Sequence, residues 1–163
     1  MQTTLFLLVG IGLSMAQAGG SLPCEPDLGQ LQEVLQDRQD PRGQSQAALL
    51  LIQSDDPAAE TIVRRGLRQI ENEELFVALA TGIRLRPDDR FLKELIQALG
   101  ASKLRVRQAA GETLATLTTP GLVLSLKQLV QDASADMRVR QMAVWTLGRC
   151  GRKEAAGVLI ATL

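Results

Sequence analysis

Residues 105–108 read Arg-Val-Arg-Gln, and residues 138–141 repeat this stretch 33 positions later. Apolar residues beyond the motif keep the same offset: Ala110 and Ala143, Leu114 and Leu147, Leu122 and Ala155, Leu126 and Leu159. Self-similarity at a fixed period of this length is the signature of a repeat architecture. The stretch therefore predicts that one structural unit recurs along the chain.

The apolar residues within each copy follow the period of a helix. They lie three or four residues apart, at Val106, Ala110, Leu114 and Leu117 in the first copy and at Val139, Ala143, Leu147 and Cys150 in the second. Such spacing places them on one side of an α-helix. A second helix is predicted to follow, because Thr119-Pro120 joins an N-cap residue to a proline at the first helical position.

Similar helix starts occur upstream of the repeated stretch. Asp40-Pro41 and Asp56-Pro57 are two further pairs of cap residue and proline, and residues 86–89 read as a turn between two apolar helices. A lone helix from 27 to 37 precedes them and covers the first pair. The sequence thus predicts no strand and four helix pairs, in units near residues 41–70, 72–100, 103–131 and 135–163.

The composition agrees with a helical repeat array. Apolar residues make up 45% of the 163-residue chain and aromatic residues only 2%, so the core must consist of small aliphatic side chains that suit closely packed helices. A pair of short amphipathic helices cannot bury both apolar stripes alone, and stacking of successive pairs buries them. We therefore predict an all-α fold, a right-handed α-solenoid of about four antiparallel helix pairs over residues 27–163.

The second copy of the repeat resembles a known family. Residues 139–148 read Val-Arg-Gln-Met-Ala-Val-Trp-Thr-Leu-Gly and follow a loop that contains Asp132 and Asp136. This pattern is similar to the HEAT-like repeats of the phycobilisome-lyase type. The resemblance covers mainly residues 100–163, since an upstream unit carries Gly43-Gln44 where the family has Val-Arg. It implies a HEAT or armadillo-like solenoid, a fold that serves scaffolds, transport adaptors and chromophore lyases.

The resemblance also implies structural roles for four repeat positions. Arg107 and Arg140 occupy the place where, in similar repeats, a ladder of arginines joins neighbouring units to Asp residues of the preceding loop. Asp132 and Asp136 are the Asp residues in question here. We expect these four residues to hold neighbouring units together.

Basic residues concentrate in the C-terminal part of the chain, where residues 101–163 carry nine Lys or Arg and four Asp or Glu. Arg105 and Arg138 lie two positions before the ladder arginines and are expected to point in a different direction. Together with Arg149 and Arg152 they form a candidate strip for an acidic protein partner. An ordinary solvated face is the alternative interpretation.

Trp145 is the only tryptophan of the chain. In the 33-residue register it takes the place of Glu112, a residue type that faces solvent, and this makes Trp145 a candidate anchor for a partner. Packing of the indole ring against the adjacent helix is the alternative interpretation.

The last predicted helix is strongly apolar, and no polar capping helix follows it. Its apolar residues are Ala155, Val158, Leu159, Ile160 and Leu163. Because the ends of a solenoid need a cover, we expect a longer array, a protein partner or a second copy of the chain to pack on this helix.

The N-terminal residues predict export. Residues 5–13 form a short uncharged apolar run, and Ala16-Gln17-Ala18 places small residues where signal peptidase cleaves. We predict a signal peptide over residues 1–18, a linker over residues 19–26 and a secreted or periplasmic protein, and the excess of Arg over Lys points to a bacterial source. The run is too short to span a bilayer, so no stable membrane insertion is expected after cleavage. A buried N-terminal helix stays open as the alternative, because no Lys or Arg precedes the run.

The residue inventory offers little for catalysis. His and Tyr are absent, two cysteines cannot hold a metal alone, and no phosphate-binding Gly-Lys-Ser/Thr loop occurs. Carboxylate pairs such as Asp55-Asp56 lie at helix starts, where they stabilise the helix dipole. Zero net charge and three Phe disfavour nucleic-acid binding. We expect no enzyme and no catalytic, metal or cofactor site.

These observations favour a non-catalytic protein–protein interaction scaffold or adaptor that acts outside the cytoplasm. Its partner is expected on the concave face formed by the second helices or on the basic C-terminal end. A chromophore-lyase-like protein in the cytoplasm is the alternative that the resemblance leaves open, and a nucleic-acid-binding solenoid is a third hypothesis.

Overall fold

The computed structural model describes four stretches of the chain: residues 27–117, 119, 121–151 and 153–160. Nine α-helices occur in this part, namely α1 Leu28–Gln36, α2 Pro41–Gln53, α3 Pro57–Arg68, α4 Glu73–Leu85, α5 Leu92–Ala98, α6 Leu104–Thr116, α7 Leu122–Gln131, α8 Met137–Arg149 and α9 Lys153–Ile160. A 3₁₀ turn, Asp89–Phe91, leads into α5. None of these helices combines the length and the apolar surface that a membrane span requires. The predicted signal peptide 1–18 and linker 19–26 lie outside the described residues.

Side-chain caps set several of the helix starts. Asp40 and Asp56 each accept a backbone N–H from the first turn of α2 and α3, at 2.9 and 2.7 Å, and both helices then begin with proline. α7 differs from the prediction, because it begins at Leu122 with Gly121 at the N-cap and not directly after Thr119. The cap residues thus fix where most helices begin. The chain reverses direction in the connections between successive helices.

The helices form two layers in a linear array. In the first layer α2 packs against α4, α4 against α6 and α6 against α8, while α3, α5, α7 and α9 form the second layer. α3, α5 and α7 each pack against the first-layer helix that follows them, and α1 covers α2 and α3 as the sequence predicts. The described residues contain no strand. The prediction of an all-α solenoid is confirmed.

The second layer is packed less evenly than the first. α3 packs directly against α5, and α7 packs against α9. Direct packing between α5 and α7 is sparse, because α5 lies mainly on α6 and α7 lies mainly on α8. Contact between α1–α5 and α6–α9 therefore runs through α4 and α5 onto α6, with little contact between second-layer helices.

Small residues let the first-layer helices approach closely. The eighth residue of α2 is Ala48, and a Cβ added to Gly82, the tenth residue of α4, would lie 3.4 Å from the carbonyl carbon of Ala48. One repeat further, the eighth residue of α4 is Ala80. Its carbonyl accepts a 3.1 Å hydrogen bond from the hydroxyl of Thr113, the tenth residue of α6. Larger side chains at these positions would force the helices apart.

The same register continues into α8. The eighth residue of α6 is Gly111, and a Cβ added to it would lie 2.8 Å from the hydroxyl oxygen of Thr146, the tenth residue of α8. We call Ala48, Ala80 and Gly111 the small-residue ladder. The equivalent residue of α8 is Val144, which is larger and 38% exposed.

The core between the layers is aliphatic, as the composition requires. The repeated apolar positions are buried: Val106, Ala110, Leu114, Leu117, Leu122, Leu126, Ala143, Leu147 and Ala155. Phe76 and Phe91 are the bulkiest of the fully buried side chains. Burial of these stripes between stacked pairs supplies the main driving force for the fold.

Gly111→Ala is expected to be less stable than Gly148→Ala by about 1–3 kcal/mol. A methyl group at residue 111 would lie 2.8 Å from atoms of Thr146 and Trp145, whereas nothing lies within 4 Å of the corresponding position at residue 148. Both variants gain helix propensity, so their difference isolates the cost of forcing α6 and α8 apart. Urea unfolding followed by circular dichroism measures it, and equal stability would contradict close packing at the ladder.

Candidate protein-binding surface

Three of the predicted partner-binding residues lie along one side of α8. Arg138, Trp145 and Arg149 are separated by seven and four residues, a spacing that places their side chains in one row on a helix. All three are exposed to solvent. We call these residues the α8 stripe. α8 also contains Arg140 and has no Asp or Glu.

Trp145 contacts its neighbour helix and solvent at the same time. One edge of the indole ring lies on α6, where a Cβ at Gly111 would be 2.8 Å from Cζ3 and 3.1 Å from Cε3. The residue is nevertheless 36% exposed, and the guanidinium of Arg149 lies 5.0 Å from the ring centroid. A cation–π contact of this kind holds both side chains in place. Packing against the adjacent helix therefore describes one edge of the Trp145 ring, and exposure to a partner describes another part of it.

Arg105 lies away from the α8 stripe. Its Nη1 atom is 2.8 Å from Oε1 of Glu73, and Nζ of the nearby Lys103 donates a 2.8 Å hydrogen bond to the carbonyl of Glu71. These contacts join the amino ends of α6 and α4. The predicted strip is thus divided, because Arg105 pairs with a carboxylate away from Arg138 and Arg149. Arg152, the fourth arginine of the strip, lies outside the described residues.

Arg107 contacts the loop that precedes its own helix. Its Nη1 atom donates hydrogen bonds to the carbonyl oxygens of Ala101 and Ser102, at 2.7 and 2.8 Å. This loop contains no Asp. Arg107 therefore orders the turn between α5 and α6 through backbone acceptors, where similar repeats led us to expect a carboxylate.

The loop before α8 uses its carboxylates as local caps. Asp132 accepts hydrogen bonds from the hydroxyl and the backbone N–H of Ser134, at 2.6 and 2.9 Å, and Asp136 accepts the backbone N–H of Arg138 at 2.7 Å. The Ser134 hydrogen bonds, with a smaller contribution from the charge of Arg140, hold the pKa of Asp132 below its ordinary value. Within the described residues, Nε of Arg140 is buried without a hydrogen-bond partner.

A buried ion-pair network joins α3 to α5 and was not predicted from the sequence. Glu94 is 3% exposed and accepts two hydrogen bonds from Nη1 of Arg64, at 2.9 and 3.0 Å, and one from Nη2 of Arg68, at 3.2 Å. Nε of Arg64 donates to Glu60 at 2.8 Å. The network ties the two second-layer helices across their interface.

The register of α5 could have revealed this network. Glu94 lies between Phe91 and Leu95, on the side of the helix that faces the core, where an acidic residue needs a cationic partner. Arg64, Arg65 and Arg68 on α3, the preceding second-layer helix, offered candidates for that partner.

The surroundings of Glu94 favour its ionised form. Burial raises the pKa of Glu94. Hydrogen bonds from its own backbone N–H and from Arg64, together with the charge of Arg64, lower the pKa by more than burial raises it. Its pKa in the folded protein therefore lies below the ordinary value of 4.5. Ionised Glu94 stabilises the fold above that pH, and the stabilisation is lost as the pH falls through the folded-state pKa.

Glu94→Gln is expected to lower the free energy of unfolding by about 2–4 kcal/mol at neutral pH, because two arginines lose a buried carboxylate. The variant should also lose less stability than the wild-type protein as the pH falls below about 4.5. Glu74→Gln, at an exposed position in the first turn of α4, is the control. Urea unfolding over a pH series measures both effects, and parallel pH profiles for all three proteins would contradict the assignment.

The acidic and sulfur-containing side chains do not converge on a metal site in the described part of the chain. No group of three or more Cys, Asp or Glu residues has a suitable arrangement there. The carboxylates instead cap helices or pair with arginines, as Asp136 and Glu94 do.

Comparison with known proteins supports the repeat assignment. The sequence model of HEAT repeats matches residues 92–163, which run from the start of α5 to the end of the chain and include the 33-residue repetition. The comparison with curated proteins gave no match. Because the match is to HEAT repeats in general, the resemblance to the phycobilisome-lyase type stays a prediction. Residues 92–163 are therefore similar to HEAT repeats, and the layered helical packing of the described chain is consistent with a HEAT-like α-solenoid.

Proposed function

We propose that this protein is a non-catalytic interaction scaffold or adaptor whose α8 stripe docks an acidic segment of another protein. The observation that carries the proposal is the position of Trp145, which rests on α6 by one edge and is 36% exposed to solvent beside Arg149. HEAT repeats commonly mediate contacts between proteins, and this arrangement supports α8 as the place of such a contact.

The α8 stripe has the composition of a binding hot spot. Tryptophan and arginine are the residues most enriched among hot spots, and a ring already held in place loses little conformational entropy when a partner covers it. Arginines bind carboxylates through paired hydrogen bonds. Since α8 has three arginines and no acidic residue, the preferred partner is acidic.

The face of the second helices is the other surface that the sequence predicts for a partner. Arg65, Arg68 and Lys93 are exposed there, so this face is also basic. It presents no exposed aromatic residue within the described chain, because Phe91 is buried in the core. An exposed tryptophan with a flanking arginine favours the α8 stripe as the docking site.

The place of action is part of the same proposal. The apolar run and the small residues at Ala16 and Ala18 support export to the periplasm or the medium. The mature protein is expected to begin at Gly19. Amino-terminal sequencing of the protein recovered from cell fractions tests this prediction. An intact Met1 on protein recovered from the cytosol would contradict export.

Trp145→Ala and Arg149→Ala are each expected to weaken binding of a fluorescein-labelled Glu-rich peptide by about tenfold or more, as hot-spot residues do. Leu85→Ala is the matched control, because Leu85 is 68% exposed and lies on a different helix. Fluorescence anisotropy measures the affinity, and a Gln-rich peptide shows whether the carboxylates matter.

Unchanged affinity in Trp145→Ala, or an equal loss in Leu85→Ala, would reject the α8 stripe as the docking site. Tighter binding of a single-stranded oligonucleotide than of the Glu-rich peptide would assign the surface to nucleic acid instead. Circular dichroism of each variant shows that a loss of affinity does not reflect unfolding.

A further inference from the structure

The net charge of the protein is zero, but acidic and basic residues are distributed unevenly along the array. Residues 27–56, which form α1, α2 and the connection to α3, carry six Asp or Glu and two Arg, whereas α3 carries one Glu and three Arg. Residues 101–163 carry nine Lys or Arg and four Asp or Glu. Because the helices pack in linear order, with α1 on α2 and α9 on α8, the two excesses lie at opposite ends. The molecule is therefore acidic at one end and basic at the other.

The acidic end contains an open groove between α1 and the connection from α2 to α3. Its volume is about 600 Å³. Its apolar surface comes from Leu28, Leu31 and Leu50, and its polar surface comes from Gln53, Ser54, Asp55 and Asp56. A groove that combines leucine side chains with two carboxylates is complementary to an indole ring flanked by a guanidinium.

We propose that the acidic partner of the α8 stripe is a second copy of this chain. The exposed part of the Trp145 ring of one copy packs on the groove of the next copy beside Leu28 and Leu50, and Arg149 meets the carboxylate of Asp55. This inference rests on the proposed function, because it names the partner of the same surface.

The two complementary surfaces lie at opposite ends of one molecule, so the contact is heterologous. Each copy that uses its α8 stripe still has an unoccupied groove, and copies therefore join head to tail into longer assemblies. The attraction is partly electrostatic and is screened by salt. In the contact, the 36% exposed surface of Trp145 becomes covered.

Sedimentation velocity of the purified protein over a concentration series tests this inference. Assemblies are expected to grow with concentration and to dissociate at high salt, and the fluorescence of Trp145, the only tryptophan, should shift to shorter wavelength as they form. A protein that stays monomeric over the whole series, with unchanged Trp145 emission, would overturn the inference. That result is also the one expected if the segment before Leu28 fills the groove.

Two variants block opposite surfaces. Trp145→Ala removes the ring, and Asp55→Lys places a cation where Arg149 of the next copy would lie, so each alone is expected to associate at least tenfold more weakly. Asp55 does not cap a helix, since α3 is capped by Asp56. Glu33→Lys is the control, because it makes the same change of charge on an exposed position of α1 outside the groove and should associate like the wild type.

An equimolar mixture of Trp145→Ala and Asp55→Lys provides the sharpest result. The mixture holds one intact groove and one intact α8 stripe, so it should form a dimer and nothing larger. Failure of the mixture to dimerise, or equal weakening by Glu33→Lys and Asp55→Lys, would overturn the head-to-tail contact. If Trp145→Ala weakens binding of the Glu-rich peptide while the wild-type protein stays monomeric, the proposed function holds and this inference fails.

Discussion

The close approach of successive first-layer helices is the constraint on which the rest of the structure depends. It is possible because Ala48, Ala80 and Gly111 have side chains too small to separate the backbones. Each second-layer helix from α3 to α7 rests on the following first-layer helix, so the spacing of the first layer also fixes that of the second. The ladder reaches the candidate binding surface as well, since the edge of Trp145 lies against Gly111. One packing rule thus connects the fold with its proposed function.

The distribution of charge follows from the same architecture. Many of the acidic residues stand at helix starts, where Asp40, Asp56 and Asp136 accept backbone N–H groups and complement the helix dipole. Basic residues lie both in first turns, as Arg105 and Arg138 do, and on the sides of the helices. Unequal numbers of each type in successive units then make one end acidic and the other basic. A neutral protein obtains in this way two surfaces that attract oppositely charged groups.

Local features of the sequence predicted the fold, but contacts between repeat units could not be predicted from them. Proline next to an Asp cap and the spacing of apolar residues act within one helix, so the number and order of the helices could be predicted. Glu94 was missed because its partners Arg64 and Arg68 lie 30 and 26 residues away in the chain. The double role of Trp145 likewise depends on Gly111 in another repeat. Arg107 departed from the expected ladder because its loop offers carbonyl groups and no carboxylate.

The uneven packing of the second layer determines where bending of the array costs the fewest contacts. The Glu94 network joins α3 to α5, whereas α5 and α7 have little direct contact. Opening the second layer between α5 and α7 therefore breaks fewer contacts than opening it between α3 and α5. Such a bend requires no helix to unfold, and it would change the distance between the acidic and basic ends of the array.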